Sequence, residues 1–366
     1  MKTTYTFPGF VDVHVHFRDP GLPAAETTAS GLAAAVRGGM RTVVTMPNTV
    51  PACDSPDLMR YQRAAAAASG VTGCTLLTSA CITKGRLGKE VADLEALAEA
   101  GAAFFTDDGS YVADDKVMEE AMRRAYDLNI VVCQHAMDPQ ELKGGVIRDC
   151  DLARKLNLPI ISVETETKAI RRDLSLCRET GCRLHIQHIS TAAGVELVRA
   201  AQREGLPVTA EAMPHHLLLT CDDLVADDAN FKMAPPLGNR EDRAELRRAV
   251  KDGVLMFATD HAPHPADKKS VGFAKSANGI IGLEVAVPIT YHVMVEEEGM
   301  SVEDWAKAWH ELPRQIIANE RCRAQNAGLR KTVVEIGSER AVDLSQFASL
   351  SRNCPYHGMK FTCWPV

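Results

Sequence analysis

The sequence has no run of 18 apolar residues and no Cys-x-x-Cys pair, and its 41 Lys and Arg are outnumbered by 48 Asp and Glu. Each absence closes off a class of function. Without a long apolar run no membrane-spanning helix is expected, and the first nine residues, with one Lys and no apolar core, do not resemble a secretory leader. A formal charge of -7 and a pI near 6.0 leave no basic stripe for a phosphate backbone, which argues against nucleic acid and for a small-molecule ligand. The 11 cysteines are odd in number and scattered through apolar segments, so free thiols in a reducing cytoplasm are expected rather than a disulfide framework. Without the Cys-x-x-Cys spacing a thiolate metal site is not expected either.

What is present is an ordinary globular composition, 46% hydrophobic and 24% charged. Short runs of Val, Ile, Thr and Leu alternate with helix-forming stretches, the pattern of parallel strands joined by crossover helices. Strands are expected near Phe10 to His16, Arg41 to Met46, Gly73 to Ala80, Ala102 to Thr106, Ile130 to Gln134, Arg183 to Gln187, Val208 to Ala212 and Met256 to Thr259. Eight such units over about 250 residues predict a (β/α)8 TIM barrel. The rival, a doubly wound open sheet, lacks the Gly-x-Gly-x-x-Gly that would follow its first strand. Further helices are expected over Leu283 to Glu298 and Val302 to Glu311. The barrel is assigned to residues 1–326, and 327–366 to a tail that packs on it or completes a small β-element.

Polar residues fall where the predicted strands stop. His14 and His16 close the first, Asp107 and Asp108 follow the fourth, His135 the fifth, His188 the sixth and Asp260 the eighth. Residues two apart on a strand share a face, so His14 and His16 can grip one ion together, and the C-terminal strand ends are where barrels place chemistry. A single histidine at a strand end is more often a satisfied polar group than a ligand. Four His and two Asp at one rim are different, because gathering them is costly unless an ion pairs them. Imidazole and carboxylate donors suit Zn, and also Mn, Co or Fe. Six donors exceed one tetrahedral shell, which predicts two ions with a shared ligand. His215 and His216, after the seventh strand, and His185, His292, His310 and His357 are read as structural.

The segments His14-Val15-His16-Phe17-Arg18-Asp19-Pro20-Gly21, Met46-Pro47-Asn48-Thr49, Phe105-Thr106-Asp107-Asp108-Gly109 and Ala258-Thr259-Asp260-His261-Ala262-Pro263-His264 resemble, in this order, the signature segments of bacterial class I dihydroorotases. The resemblance implies two Zn ions per chain. His14, His16 and Asp260 would hold one, His135 and His188 the other, and Asp108 would bridge. Many relatives bridge with a carboxylated lysine; here the nearest lysine is Lys116, which points to an aspartate-bridged subgroup. The implied activity is interconversion of N-carbamoyl-L-aspartate and L-dihydroorotate in pyrimidine synthesis, through a metal-bridging hydroxide with Asp260 as general acid and base.

Arg18 shares the face of His16 if the strand continues, and its planar fork can hold a carboxylate. Asn48 and His264 are expected to complete that clamp. By resemblance, the backbone near Asn278 and Gly279 touches the substrate ring, whereas Pro265 to Gly279, with three Lys, two Gly and no apolar period, is itself expected to form a loop over the mouth that acts as a lid. Allantoinases and hydantoinases resemble the chain in fold and metal site but generally lack the arginine. Relatives usually begin with a β-sandwich segment that is reduced or missing here. Ala234 stands where a polar residue is common, and Asn278 where an aromatic is. The alternatives are an allantoinase or hydantoinase type of cyclic-ureide amidohydrolase, or a weakly active scaffold for aspartate transcarbamoylase. A homodimer in the cytoplasm is the expected assembly, with aspartate transcarbamoylase as the macromolecular partner the resemblance suggests.

Overall fold

A computed structural model describes residues 2–317, Asn319, Cys322 and 330–366. The chain opens with an edge strand, β1 (Thr3–Pro8), followed by eight parallel strands. These are β2 (Phe10–Val15), β3 (Met40–Thr45), β4 (Thr75–Thr78), β5 (Phe105–Thr106), β6 (Val132–Gln134), β7 (Leu184–Ile186), β8 (Val208–Ala212) and β9 (Leu255–Phe257). All eight coincide with the strands expected from the sequence. Their residues are buried almost without exception, which is why they read as continuous β-branched and apolar runs rather than as alternating ones.

Backbone pairing runs β2-β3-β4 and β5-β6-β7-β8-β9. Single parallel bridges, Ala80 to Phe105 and Val15 to His261, join the two arcs into a closed barrel. Asp12 reinforces the second seam. Its carboxylate accepts from Thr259 N at 3.1 Å, Thr259 Oγ1 at 2.6 Å and His14 N at 3.1 Å. Burial pushes its pKa up to about 6 despite those bonds.

The helices outside the barrel start at side-chain caps. Thr27 caps Thr28–Arg37, Asp114 caps Asp115–Asp127, Thr191 caps Ala192–Arg203 and Asn239 caps Arg240–Lys251. Along Asp115–Asp127 the buried residues are Met118, Ala121, Met122 and Ala125, one stripe facing the strands. The helix Val302–His310 packs on the barrel through Trp305 and Trp309, whose rings lie 5.5 Å and 6.2 Å from Phe10. Both indoles donate to Thr290 Oγ1, at 3.1 Å and 3.0 Å, so two buried N–H groups are satisfied by one hydroxyl. The helix expected from Leu283 begins later, at Ala286, with Pro288 in its first turn where a missing N–H is harmless. It then continues as a π-helical stretch over His292–Glu297.

In the tail, two strands join β1 in a sheet that also packs on the barrel, where Thr332 Oγ1 accepts from Phe10 N at 2.9 Å and donates to Gly39 O at 2.7 Å. β10 (Lys331–Ala341) lies between β1 and β11 (Lys360–Pro365) in a three-stranded antiparallel sheet. It is a short sheet shared by the two ends of the described chain. The boundary expected at residue 326 falls outside the described residues. No helix among the described residues is long and apolar enough to cross a membrane.

Candidate metal and substrate site

β2 ends at Val15, so His14 is its last inward side chain and His16 lies one step beyond. His14 is fully buried, and its Nδ1 lies 2.6 Å from Glu211 Oε1 on β8. A carboxylate only accepts, so Nδ1 carries a proton and Nε2 is the ring nitrogen turned toward the cluster. That nitrogen lies 3.3 Å from Asp108 Oδ1 and 3.4 Å from Asp260 Oδ1. His16 is oriented the same way. Its Nδ1–H donates to Asn48 Oδ1 at 2.8 Å, leaving Nε2 at 2.9 Å from Asp260 Oδ1 and 3.5 Å from Asp108 Oδ2.

Across the barrel, His135 Nδ1 and His188 Nε2 approach to 2.8 Å, and both lie within 3.6 Å of Asp108 Oδ1. The six residues form three overlapping triads: His14, His16 and Asp108; His14, His188 and Asp260; Asp108, His135 and His188. His14 Nε2 and Asp108 Oδ1 are buried without a hydrogen-bond partner. Orphaned donor atoms are costly when buried, and a set made only of imidazole and carboxylate is what divalent cations satisfy. The residues present therefore fit a metal centre.

The electrostatics agree with the geometry. Burial pushes His14 toward the neutral form, but the carboxylates of Asp260, Asp108 and Glu211 outweigh it and hold its pKa well above the usual range. Burial lowers His16, helped by the Arg18 guanidinium, and also lowers His135. Asp108 and Asp260 are held below the ordinary carboxylate range, because the imidazole charge facing them overcomes their own burial. Glu211 is lowered by His14 and His185 in the same way.

Three residues of the rim have left-handed backbones: Arg18 (φ 55°), His188 (φ 36°) and Asp260 (φ 47°). This conformation is uncommon outside glycine and clusters at functional sites. Local bonds hold it: His188 N donates to Glu211 Oε1 at 3.2 Å, and His261 N to Thr259 Oγ1 at 3.1 Å. For Arg18 the conformation corrects an expectation. The strand does not continue to carry it on the face of His16; a left-handed turn brings its side chain to the rim instead.

The cluster opens into a cavity of about 600 Å³. His16, Arg18, Asn48, Asp108, His135, His188, Asp260, His264 and Asn278 line it. His14 lies beneath, fully enclosed. Gly279 is not among the lining residues: its N–H donates to Lys232 O at 2.9 Å, and its carbonyl accepts from Lys269 Nζ at 2.9 Å and Asn353 Nδ2 at 3.0 Å. Arg18 donates from Nε to Pro263 O at 3.3 Å. Burial lowers its pKa to about 10, and it stays charged at neutral pH. His264 Nε2–H donates to Asn278 O at 2.7 Å, and burial beside Arg18 lowers its pKa to about 3, so its ring is neutral.

Sequence reasoning missed Glu211, whose one signal is a carboxylate inside the apolar run Val208–Ala212. It also missed Arg86, whose Nη2 donates to Asp108 O at 2.6 Å and Ser110 Oγ at 3.0 Å, fixing the turn that carries Asp108. His185, read as structural, packs its Nε2 3.1 Å from Glu211 Oε2. His215 and His216 are buried outside the cavity, and His216 Nε2–H donates to Pro235 O at 3.1 Å.

The expected lid, Pro265 to Gly279, contains a single helical turn, Ala266–Lys269. It is tied down by two lysines that have no carboxylate partner among the described residues. Lys269 Nζ reaches the carbonyls of Ala277 and Gly279 at 2.9 Å, and Lys232 Nζ those of Ser276 and Ala274 at 2.8 Å and 3.0 Å.

Residues 4–193 match the Dihydro-orotase-like family. A dihydroorotase from Geobacillus thermodenitrificans (strain NG80-2) is 40% identical over 364 residues, 98% of this chain and 84% of that protein. One from Listeria innocua serovar 6a is 39% identical over the same shares. Among solved structures, the L-hydantoinase (dihydropyrimidinase) from Arthrobacter aurescens superposes with a TM-score of 0.85 at 26% identity, covering 99% of this chain and 83% of that one. The Saccharomyces cerevisiae dihydroorotase in complex with 5-fluoroorotic acid superposes with a TM-score of 0.79 at 19% identity, covering 99% and 98%. With a family match across half its length and relatives of that identity over nearly all of it, the chain belongs to the dihydroorotase family of metal-dependent amidohydrolases.

Proposed function

We propose that this enzyme is a dihydroorotase that interconverts N-carbamoyl-L-aspartate and L-dihydroorotate in pyrimidine biosynthesis. The observation that carries the reading is that the Arg18 guanidinium shares one cavity with five of the six cluster residues, with His14 directly beneath, in a chain 40% identical to dihydroorotases. The cluster would hold two Zn ions, with His14, His16 and Asp260 at one, His135 and His188 at the other and Asp108 between them. Bound there, the ions supply Lewis acidity, polarising a carbonyl and bringing the pKa of water toward about 7.

The chain's own residues supply the rest. Arg18 pairs with the substrate carboxylate and fixes the ring, with His264 and Asn278 on the same flank. Asp260, held ionised among His14 and His16, accepts a proton from water and returns it to the ring nitrogen as the amide bond breaks. In ring closure the same carboxylate takes the proton from the ureido nitrogen. Asn48 keeps His16 in the tautomer that leaves Nε2 free.

Metal content per chain and dihydroorotate hydrolysis are to be measured in wild type, Asp108→Ala and Arg18→Ala. Asp108→Ala is expected to lose metal and activity together. Arg18→Ala is expected to keep its metal and lose roughly 10- to 100-fold or more in kcat/KM, the scale of a charge-assisted pair. Unchanged turnover in Arg18→Ala, or faster hydrolysis of hydantoin or allantoin than of dihydroorotate by wild type, overturns the assignment.

A further inference from the structure

The cavity is larger than the proposed substrate. L-Dihydroorotate has about eleven non-hydrogen atoms; even at the roughly 30 Å³ that each water takes in the liquid it fills about 330 Å³. With about 90 Å³ more set aside for two ions and a water, close to a third of the 600 Å³ remains.

Barrel order shows which residues face the carboxylate flank across this space. The carboxylate-binding flank comes from the ends of β2, β3 and β9: Arg18, Asn48, His264 and Asn278. In a closed ring of eight strands, β6 stands four strands from β2 in either direction, directly across the mouth. The segment after β6 supplies Met137, Leu142, Val146 and Ile161 to the cavity wall, and the turn after β5 adds Tyr111. No charged side chain from the segment between β6 and the helix Glu164–Thr180 lines the cavity.

This wall is a built surface. Ile147 and Ile160 form a parallel bridge, with Val146 N donating to Pro159 O at 2.9 Å and Ile161 N to Ile147 O at 2.7 Å. Two separate stretches are thereby stitched into one panel behind Val146 and Ile161. The Tyr111 ring is backed by the Arg172 guanidinium, 4.5 Å from its centroid. Apolar side chains held at the rim of a polar pocket gain stability when a ligand covers them.

We propose that this panel is a second subsite, which binds an apolar substituent carried on the edge of the substrate ring, or of its open ureido form, remote from the carboxylate. The ligand class is an N-substituted carbamoyl amino diacid or the matching cyclic ureide, with its carboxylate at Arg18 and an aryl or alkyl group on the β6 side. The proposal rests on the reading of Arg18 as the carboxylate anchor, which sets the direction in which the ligand lies.

The probe pair is N-carbamoyl-L-aspartate and its analogue with a benzyl group on the terminal ureido nitrogen, titrated calorimetrically into the zinc-loaded full chain. The analogue is expected to bind at least tenfold more tightly than the parent, the lower end of what burying an aromatic group contributes. Leu142→Asn and Val146→Asn, which add polarity without charge, should each abolish that advantage and leave parent affinity unchanged. Equal or weaker binding of the analogue to wild type overturns the subsite, as does an advantage that survives both substitutions. Dihydroorotate turnover, followed in the same preparations, separates the two readings. Its absence in wild type counts against the proposed activity, whereas turnover with no benzyl advantage removes the subsite alone.

Discussion

The Glu211 carboxylate lies 2.6 Å from His14 Nδ1, so β8, which adds no residue to the six-member cluster, fixes the ligand that β2 presents. The same oxygen accepts the backbone N–H of His188 at 3.2 Å, and the other lies 3.1 Å from His185 Nε2. One buried carboxylate thereby sets the tautomer of His14 and the position of His188. Its negative charge also stands directly behind the cluster.

Glu211→Gln is the sharpest check on this arrangement. The substitution keeps the shape and removes the charge, so metal affinity should fall about 10- to 100-fold with a folded barrel. Competition with a chromophoric chelator gives the affinity, and circular dichroism the fold. Wild-type affinity in the variant would reduce Glu211 to a packing role.

Asp260→Asn should separate proton transfer from binding. The amide cannot carry the proton, and kcat is expected to fall about 10²- to 10⁴-fold while KM changes little. Metal analysis of the same sample is needed because Asp260 also faces His14 and His16. A variant with full metal and near-normal kcat would assign the proton shuttle elsewhere.

Metal removal should follow the sign of the His14 shift. Its pKa stands well above the ordinary value, so protons compete for this ligand at neutral pH and more strongly below it. A chelator should strip the protein faster at pH 6 than at pH 8, abolish turnover and lower Tm by several degrees, and added Zn should reverse both losses. Stripping that is equally fast at both values would contradict this order.

Lys269 predicts a pH dependence in the loop beside the mouth. Burial, reinforced by Lys232, lowers its pKa to about 7, whereas an unfolded lysine titrates near 10.4. Between those values the unfolded chain binds more protons than the folded one, so the contribution of Lys269 to stability rises with pH across that window. The stability of wild type minus that of Lys269→Met should therefore increase from pH 7 to pH 10. A constant difference in thermal melts would mean that the amine titrates normally.

The barrel was legible because its strands are buried on both faces. Runs such as Thr42-Val43-Val44-Thr45 need no alternation to be recognised, and the helices between them begin at Thr, Asp and Asn caps. The six-residue cluster was legible for a related reason: any one His or Asp at the end of such a run passes as a satisfied polar group, but four His and two Asp at one rim do not. What stayed hidden depends on contacts far apart in the chain. Glu211 is 197 residues from His14, and nothing near either residue announces the pair. Arg18 reaches the mouth through a left-handed turn, which alternation along a strand cannot foresee. The pairing of β1 with β10 was equally invisible, because an exposed edge strand has too little burial to set a pattern.

The seam between β2 and β9 also has a temporal meaning. Asp12 meets Thr259, 247 positions further along the chain, and the cylinder is complete only when they meet. Contacts so remote in sequence are slow to form, and until then both terminal strands are open edges able to pair with another molecule. His14 and Asp260 flank this joint, so their donor atoms face each other only after the ring has shut. Uptake of an ion during refolding would therefore mark the last event of assembly, a spectroscopic clock for closure rather than for collapse.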